Sequence, residues 1–260
     1  MKKLIKFGAA LVCCLVVLEV LAHSASAKEV QTWYVKRNGN QLPGFPCNSG
    51  ELDEYDCYYI DKDASKSGKK KLYLTFDAGY GNGNLERILD TLKEEGVPAA
   101  FFILKNLILK NEDLVIRMAD EGHLVCNHTA NHKDLTVLSN EEIENEIYKL
   151  ENIYTATTGK ILSKYFRFPE GKYSKRAISV INSLGYKTVF WSFAYEDWDN
   201  QNQPSEEYAI NKILSNTHDG AVILLHPNSK TNADILPELI SEWKEMGYEF
   251  CTLDELTKNK

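Results

Sequence analysis

The sequence predicts an α/β fold, built as a distorted (β/α) barrel of about seven parallel strands with a short irregular N-terminal extension. Apolar runs typical of strands alternate with amphipathic helical runs from residue 71 onwards. The strand-like runs are apolar at nearly every position, as expected of parallel strands buried on both faces. A glycine that can adopt the left-handed conformation follows four of the helical runs: Gly96, Gly122, Gly185 and Gly247.

Length and composition agree with a globular α/β protein. The 260 residues suffice for one barrel domain or two small domains. Hydrophobic residues make up 43% and charged residues 26%, which is ordinary globular composition. The net charge of −7, without a long basic run, argues against nucleic acid as a partner.

The first 27 residues have the pattern of a signal peptide. A basic "MKKLIK" precedes the apolar "FGAALVCCLVVLEVLA", and small residues "ASA" occupy 25–27. We therefore expect export and a location outside the cytoplasm. An uncleaved anchor is the alternative, disfavoured because the apolar run is short and contains Glu19.

Residues 28–70 differ from the rest of the chain, because turn formers such as "NGNQLPGFPCNSG" dominate and no amphipathic period appears. We expect them to form an N-terminal extension ahead of a domain over 71–260. Cys47 and Cys57 lie close in this segment and could pair, although spacing alone does not fix connectivity. Cys126 and Cys251 lie in apolar runs, which predicts buried thiols.

Seven strands are predicted in order along the chain, over residues 71–76, 99–104, 123–127, 165–168, 186–193, 221–226 and 248–253. The helices between them are predicted over residues 84–95, 111–121, 140–157, 175–184, 206–215 and 233–246. The helix over 140–157 has the clearest pattern, because Ser139 and Glu142 form a capping box at its start. Its apolar face contains Ile143, Ile147, Leu150 and Tyr154. The last helix repeats such a stripe.

Repeated strand–helix alternation allows either a barrel or a doubly wound open sheet. No glycine-rich phosphate loop follows the first predicted strand, which weakens the nucleotide-binding open sheet. The barrel is therefore favoured.

Polar side chains follow the carboxyl ends of five of the predicted strands. In a (β/α) barrel these ends converge on one face, where active sites are built. Each residue has an ordinary structural explanation when taken singly: an Asp after a strand commonly caps a helix, and an H-x-x-x-H pair is common by accident. Their joint placement on one face favours an active site. The residues are Asp77, His128 and His132, Arg167, Asp197 with Trp198, and His226.

These segments carry a family resemblance. "TFDAGY", "HTANH", "RFPEG", "DW" and "LLH", in this order, resemble the five motifs of the polysaccharide deacetylases of the NodB-homology, carbohydrate esterase type. The resemblance covers about residues 71–256. "TFDAGY" and "FWSFAYEDW" look most similar to the branch that de-N-acetylates N-acetylmuramic acid in spore cortex peptidoglycan for muramic-delta-lactam formation. The resemblance also implies a distorted (β/α) barrel.

The resemblance implies a division of proton-transfer roles. Asp77 would be the base that takes a proton from water, and Arg167 would keep it ionised and oriented. His226 would protonate the leaving amine, and Asp197 would hold the tautomer of that imidazole.

A divalent metal, zinc by preference, is implied at His128 and His132. The family usually has a second acid after the base, and here that position is Ala78, which predicts weak metal binding. Water or substrate could complete the site, or a neighbouring amide could substitute, or the protein could work with little metal. The amides considered are Asn82, Asn127 and Asn131.

The resemblance also implies contacts to the sugar. Trp198 and Leu224 resemble an apolar wall for the acetyl methyl group, and Tyr80 and Glu170 are placed to contact the substrate. The expected partner is a peptidoglycan glycan strand, and the sequence does not indicate whether an accessory protein takes part. Deacetylation of N-acetylglucosamine in peptidoglycan or chitin-like oligomers is the first alternative. A noncatalytic barrel that binds glycan or a partner is the second.

Overall fold

The structure, a computed structural model, describes residues 30–258. The predicted signal peptide over residues 1–27 lies outside the described residues and stays a prediction. None of the helices within 30–258 is long and apolar enough to cross a membrane.

Ten strands are present in the described chain. Their bounds are β1 (Gln31–Thr32), β2 (Cys57–Tyr58), β3 (Lys71–Ala78), β4 (Ala100–Ile103), β5 (Leu124–Asn127), β6 (Ser163–Phe166), β7 (Lys172–Tyr173), β8 (Lys187–Val189), β9 (Ala221–Leu225) and β10 (Glu249–Phe250).

Nine α-helices lie between or beside these strands within the described range. Their bounds are α1 (Lys62–Ser67), α2 (Asn84–Glu95), α3 (Lys105–Lys110), α4 (Glu112–Asp120), α5 (Asn140–Thr158), α6 (Lys175–Ser183), α7 (Glu206–Leu214), α8 (Lys230–Glu245) and α9 (Leu253–Leu256).

The main sheet is parallel throughout and curls into a partial barrel. Its strand order is β10-β3-β4-β5-β6-β8-β2, and β9 pairs with β3. Phe193, four residues beyond β8, forms a parallel bridge to Ile223 of β9 and so links the two sides of the curl. The predicted α/β barrel class is therefore confirmed.

The two faces of β3 explain how the barrel is filled. Leu72, Leu74 and Phe76 pack in the large apolar cluster that includes residues of α2 and α8. Tyr73 instead packs in a second cluster with residues of β4, β5, β8 and β9. Because side chains alternate along a strand, Asp77 shares the inward side with Tyr73, whereas Ala78 shares the outward side with Leu72.

The helix signals in the sequence correspond to real helix ends. Gly96, Gly122, Gly185 and Gly247 all have a positive φ, between 64° and 86°. The capping box of Ser139 and Glu142 is present at the start of α5. These helices therefore begin and end within a few residues of the predicted positions.

The sequence prediction missed several short elements, and two of them lie next to predicted strands or helices. The helix α3 follows β4 directly, where a loop was expected before α4. The strand β2, within the N-terminal extension, adds an eighth strand beside β8. Both are short, and a strand of two residues has too few positions to show a period.

The rest of the extension contacts the chain beside the cleft. β1 pairs antiparallel with β7. The Trp33 backbone N–H donates to the Gly171 carbonyl at 2.8 Å, and its indole Nε1–H donates to the Trp191 carbonyl at 2.9 Å. The guanidinium of Arg37 donates to the Ala194 carbonyl at 2.8 Å. The extension thus supports the segment around Gly171 that borders the cleft.

The possible Cys47–Cys57 disulfide is not formed in this structure. Cys57 is buried in β2, where it pairs with Thr188, whereas Cys47 is exposed in the turn after Pro46. The different environments of the two residues account for the correction. Cys126 and Cys251 are buried thiols, as predicted.

Candidate active site

A cleft of about 850 Å³ opens at the carboxyl ends of the parallel strands. Eight of the ten residues predicted for the site line it: Asp77, Tyr80, His128, His132, Glu170, Trp198, Leu224 and His226. The other two, Arg167 and Asp197, are wholly buried and contact lining residues from behind.

Asp77 and Arg167 form an ion pair at the floor of the cleft. Nη1 of Arg167 donates to Oδ1 of Asp77 at 2.8 Å. The Arg167 side chain is 0% exposed, and its guanidinium also donates to Thr75 Oγ1 at 2.9 Å and to the Val189 carbonyl at 3.0 Å. Its carbon Cζ lies 4.1 Å from the centre of the Phe102 ring. These contacts fix the cation and hence the carboxylate.

The charge state of Asp77 follows from this pairing. Burial alone would raise the pKa of its carboxyl group, but the charge and hydrogen bond of Arg167, together with the charge of His226, outweigh burial and lower that pKa below its usual value. Asp77 is therefore ionised at neutral pH.

His226 and Asp197 form a second pair at the same cleft. The ring Nδ1 of His226 lies 2.7 Å from Oδ1 of Asp197, and the His226 backbone N–H donates to Oδ2 at 2.8 Å. With Nδ1–H given to the carboxylate, the remaining ring nitrogen, Nε2, is not engaged by Asp197. Burial would lower the pKa of His226, but Asp197 outweighs it and raises the pKa above 6.5.

His128 lies next to the Asp77–Arg167 pair as a neutral imidazole. Its Nδ1 is 2.8 Å from the Arg167 carbonyl, so Nδ1–H is the donor and Nε2 keeps a lone pair. Nε2 lies 3.5 Å from Oδ2 of Asp77. Burial lowers the pKa of His128 to about 4.

Backbone strain is concentrated around the cleft. Three residues other than glycine within 30–258 have a positive φ: Thr129 at 73°, His132 at 57° and Glu170 at 54°. Glu146 supports the loop that contains Thr129 and His132, because its carboxylate accepts from the Asn131 backbone N–H at 2.8 Å. Strained backbone of this kind is frequent at functional sites and requires such support.

The donors present fit a metal only in part. The rings of His128 and His132 lie edge to face with centroids 5.0 Å apart, and imidazole nitrogen suits zinc. Catalytic zinc usually has three protein ligands, and residues 30–258 contain no group of three or more His, Cys, Asp or Glu side chains that could hold an ion. Ala78 is fully buried in the apolar cluster. Within this range, His128 and His132 are therefore the two protein ligands available to an ion.

The three amides considered as substitute ligands are already engaged. Oδ1 of Asn127 accepts from the Thr129 backbone N–H at 2.9 Å. Oδ1 of Asn131 accepts from Lys105, and Oδ1 of Asn82 accepts from the Asn84 backbone N–H at 3.3 Å. Each amide therefore supports a loop of the cleft, and the role of one of them as a substitute ligand stays a prediction.

Both apolar and polar side chains line the cleft. The Trp198 ring is 56% exposed and lies 6.1 Å from the His226 ring, measured between centroids. Leu224 is almost fully buried beside it. The Tyr80 hydroxyl accepts from Asn200 at 2.6 Å, and the Glu170 carboxylate pairs with Lys172 at 2.6 Å.

Sequence reasoning missed several residues of the site, among them Asn228, Asn232 and Tyr195. Asn228 lines the cleft and donates to the Tyr80 hydroxyl at 3.1 Å. Tyr195 also lines the cleft, and Asn232, which accepts from the Tyr195 hydroxyl, lies behind it next to Asp197. Asparagine near a helix start usually signals capping, so neither asparagine stood out in the sequence.

The arrangement suits hydrolysis. An ionised carboxylate and a carboxylate-held imidazole border one cleft, and each has a fixed orientation. Such a pair can take a proton from water and give one to a leaving group. The fold and the site together define the chain as a hydrolase of the (β/α) barrel type.

Comparisons with known proteins identify the family. The sequence profile of "Polysaccharide deacetylase" matches residues 64–189. The chain is 36% identical over 256 residues to peptidoglycan-N-acetylmuramic acid deacetylase PdaA of Bacillus subtilis, covering 96% of this chain and 95% of that one. The solved structure of Bacillus subtilis PdaA, a family 4 carbohydrate esterase, aligns with a TM-score of 0.83 at 35% identity, over 88% of this chain and 97% of that one.

A second curated relative has a different printed substrate. The peptidoglycan-N-acetylglucosamine deacetylase PgdA of Listeria monocytogenes is 36% identical over 191 residues, which is 74% of this chain and 40% of that one. The chain belongs to the polysaccharide deacetylases of carbohydrate esterase family 4 and is a hydrolase of that family.

Proposed function

We propose that this chain hydrolyses the acetamido group of N-acetylmuramic acid in peptidoglycan. The observation that carries the proposal is the placement of the Asp77–Arg167 and His226–Asp197 pairs at one cleft of about 850 Å³. The relative PdaA, which is named for this substrate, matches nearly the whole chain and supports the choice of sugar.

Asp77 acts on the attacking water in the first step. Its carboxylate accepts a proton as the water oxygen bonds to the acetyl carbonyl carbon, which produces a tetrahedral intermediate. Arg167 keeps the carboxylate ionised and aimed at the cleft. The same ion pair makes Asp77 a weak base, since it lowers the pKa of the carboxyl group.

His226 acts on the leaving amine in the second step. The sugar nitrogen takes a proton from the imidazolium as the C–N bond breaks, and the products are acetate and a free amine. Asp197 stabilises the imidazolium, and the raised pKa of His226 keeps more of it protonated near neutral pH. The proton taken up by Asp77 returns to solvent or to His226 before the next cycle.

A divalent cation, zinc by preference, would be held by His128 and His132 with the remaining positions left to water and substrate. When bound, such an ion lowers the pKa of water from 15.7 towards about 7, which suits a base as weak as Asp77. The neutral state of His128 leaves its Nε2 lone pair available as a ligand atom.

The substrate contacts follow from the cleft walls. Trp198 and Leu224 supply the apolar surface for the acetyl methyl group, while Tyr80 and Glu170 face the sugar or its substituents. The partner is a peptidoglycan glycan strand, and the net acidic charge of the chain does not suit nucleic acid.

We place the reaction outside the cytoplasm, on the basis of the signal peptide predicted over residues 1–27. The amine released on muramic acid lies on the same ring as the lactyl carboxyl group. Their condensation gives muramic-delta-lactam, so the proposed role is in the peptidoglycan of the spore cortex.

The alternative substrate is N-acetylglucosamine, which the Listeria relative PgdA is named for. Glu170 at the cleft supports this alternative. Its negative charge would repel the lactyl carboxylate of muramic acid, which N-acetylglucosamine lacks. A noncatalytic glycan-binding barrel is the remaining alternative.

Incubation with purified muropeptides tests the three possibilities together. Mass spectrometry of the products locates each lost acetyl group on muramic acid or on glucosamine. We expect loss on muramic acid, together with an equal amount of free acetate. Loss on glucosamine would select the first alternative, and intact muropeptides with tight binding would select the second.

A further inference from the structure

Asn232 lies directly behind the His226–Asp197 pair. It is 1% exposed and belongs to the first turn of α8. Its Nδ2 donates to Oδ2 of Asp197 at 2.6 Å and to the His226 carbonyl at 3.1 Å. One amide group therefore ties the buried acid to the backbone of the histidine that the acid serves.

The amide is itself fixed at both ends. The Tyr195 hydroxyl donates to Oδ1 of Asn232, and the Asn232 backbone N–H donates to Ser229 Oγ at 3.1 Å. Tyr195 is buried, so its hydroxyl has few other partners. A flipped amide would point its oxygen at the Asp197 carboxylate, which is unfavourable. The contact with Tyr195 therefore selects the orientation in which Nδ2 faces Asp197.

We propose that Asn232, oriented by Tyr195, is a positioning residue that holds the Asp197 carboxylate against Nδ1 of His226. The proposal deepens the proposed function, on which it depends only for the activity assay. Asp197 has no solvent contact, and within residues 30–258 its carboxylate accepts two hydrogen bonds from His226 and one from Asn232. In that range Asn232 is therefore the one residue other than His226 that donates a hydrogen bond to this carboxylate.

An asparagine at position 232 suits this positioning role. Asparagine supplies an N–H donor without a charge, so it orients Asp197 without competing with the imidazolium for it. The charged groups that face His226 are Asp197, Asp77 and Arg167. A lysine in place of Asn232 would add a second cation beside Asp197 and weaken the attraction between Asp197 and His226.

The substitution Asn232→Leu tests the role by removing both N–H donors while keeping a side chain that branches at Cγ. NMR titration of the His226 ring measures its pKa without any substrate. We expect that pKa to fall, because a freed carboxylate no longer stays on Nδ1. In muropeptide assays we expect kcat to fall at least about tenfold, with KM changed by less than about twofold.

Tyr195→Phe is the second variant, in case Asn232→Leu does not fold. It removes one hydroxyl, leaves Asn232 in place, and should lower the His226 pKa and kcat in the same direction by a smaller factor. Thr217→Val is the matched control. It deletes the buried hydrogen bond that Trp243 Nε1–H donates to Thr217 Oγ1 at 2.9 Å. Thr217 precedes β9 and so lies at the end of that strand opposite the cleft.

The outcomes separate the inference from the proposed function. A lower His226 pKa in both test variants but not in Thr217→Val supports the positioning role, even if no muropeptide is hydrolysed. An unchanged or higher His226 pKa in a folded Asn232→Leu or Tyr195→Phe protein overturns it. A kcat within twofold of wild type in folded Asn232→Leu also overturns it.

Discussion

The proton-transfer side of the cleft consists of the Asp77–Arg167 and His226–Asp197 pairs, and the histidine-pair side consists of His128 and His132. The two sides differ in how firmly the surrounding residues hold them. Asp77 and His226 each contact a buried partner, and both partners have further hydrogen bonds that fix them. The histidine pair has a buried member, His128, and an exposed member, His132, on a loop with two strained residues. The third ligand expected from the family resemblance is replaced by Ala78.

The difference shows where this chain fixes its geometry. Preorganised groups need no rearrangement during the reaction, and burial strengthens their electrostatic effect. A two-ligand metal site is weaker and easier to empty. We therefore expect proton-transfer substitutions to have the largest effects and histidine-pair substitutions to act mainly through metal affinity.

The substitution Asp77→Asn should cause the largest loss. It keeps the side-chain shape but removes the proposed base, so acetate release should fall by about 100-fold to 10,000-fold. It also leaves the buried Arg167 cation without its counter-charge, which should lower the free energy of unfolding by about 3–5 kcal/mol. Acetate assays and chemical denaturation measure the two effects.

The substitution Asp234→Asn is the matched control. Asp234 pairs with Arg87 at 2.7 Å, nearly the same distance as the Asp77–Arg167 pair, but the Arg87 side chain is 48% exposed whereas that of Arg167 is 0% exposed. Exposed pairs contribute about 0–1 kcal/mol, so rate and stability should stay near those of wild type. Equal losses in both variants would mean that burial and position in the cleft are irrelevant.

The substitution Asp197→Asn should change the pH dependence of the rate. Asp197 raises the pKa of His226 above 6.5, so the wild-type alkaline limb of kcat/KM should lie above pH 6.5. Without the negative charge that pKa falls, so the limb should move to lower pH and the rate at neutral pH should drop by about 10-fold to 100-fold. An alkaline limb at the same pH in both proteins would contradict the role of His226 as acid.

The same pair predicts how stability depends on pH. A pKa that is raised in the folded state stabilises the fold fully at pH values below the unfolded-state pKa of His226. That contribution is lost as pH rises through the folded-state value. The wild-type protein should therefore lose this contribution above pH 6.5, and Asp197→Asn should show a flatter profile in thermal denaturation.

The substitution His132→Ala tests the other side of the cleft. It removes one of two protein ligands, so zinc affinity should fall by at least about tenfold. Competition with a chromogenic chelator measures the Kd. Lys133→Ala, at the neighbouring residue of the loop, is the control and should leave zinc affinity unchanged. Zinc binding that is insensitive to His132→Ala would place the ion elsewhere.

The substitution Trp198→Ala should have the smallest effect. The ring is more than half exposed and forms a wall of the cleft, so its loss removes substrate contact without disturbing Asp77. KM should rise by about 2-fold to 10-fold with kcat nearly unchanged. A fall in kcat as large as that of Asp197→Asn would show that the indole also orients His226.

Local signals in the sequence predicted most of the fold. Glycines such as Gly96 and the Ser139 capping box mark helix ends through backbone chemistry that needs no tertiary context. The strand β2 could not be predicted in this way, because Cys57 and Tyr58 become a strand only by pairing with β8. Such pairing depends on residues far away in the chain.

The site was predictable where a residue type is unusual for its position. Asp77, Arg167 and His226 are polar residues at the ends of apolar strands, and the structure brings them to one cleft. Asn232 was not predictable, because its partners Asp197 and Tyr195 lie more than 30 residues earlier in the chain. Its role depends on where its amide points, which only the folded structure shows.

The most direct test of the central claim compares the two sides of the cleft in one assay. Acetate release from muropeptides is measured for wild type stripped with chelator and for Asp77→Asn saturated with zinc. We predict that the stripped wild type is at least about tenfold faster, because its proton-transfer groups are intact. A stripped wild type as slow as zinc-saturated Asp77→Asn, or slower, would contradict the claim that the proton-transfer side dominates catalysis.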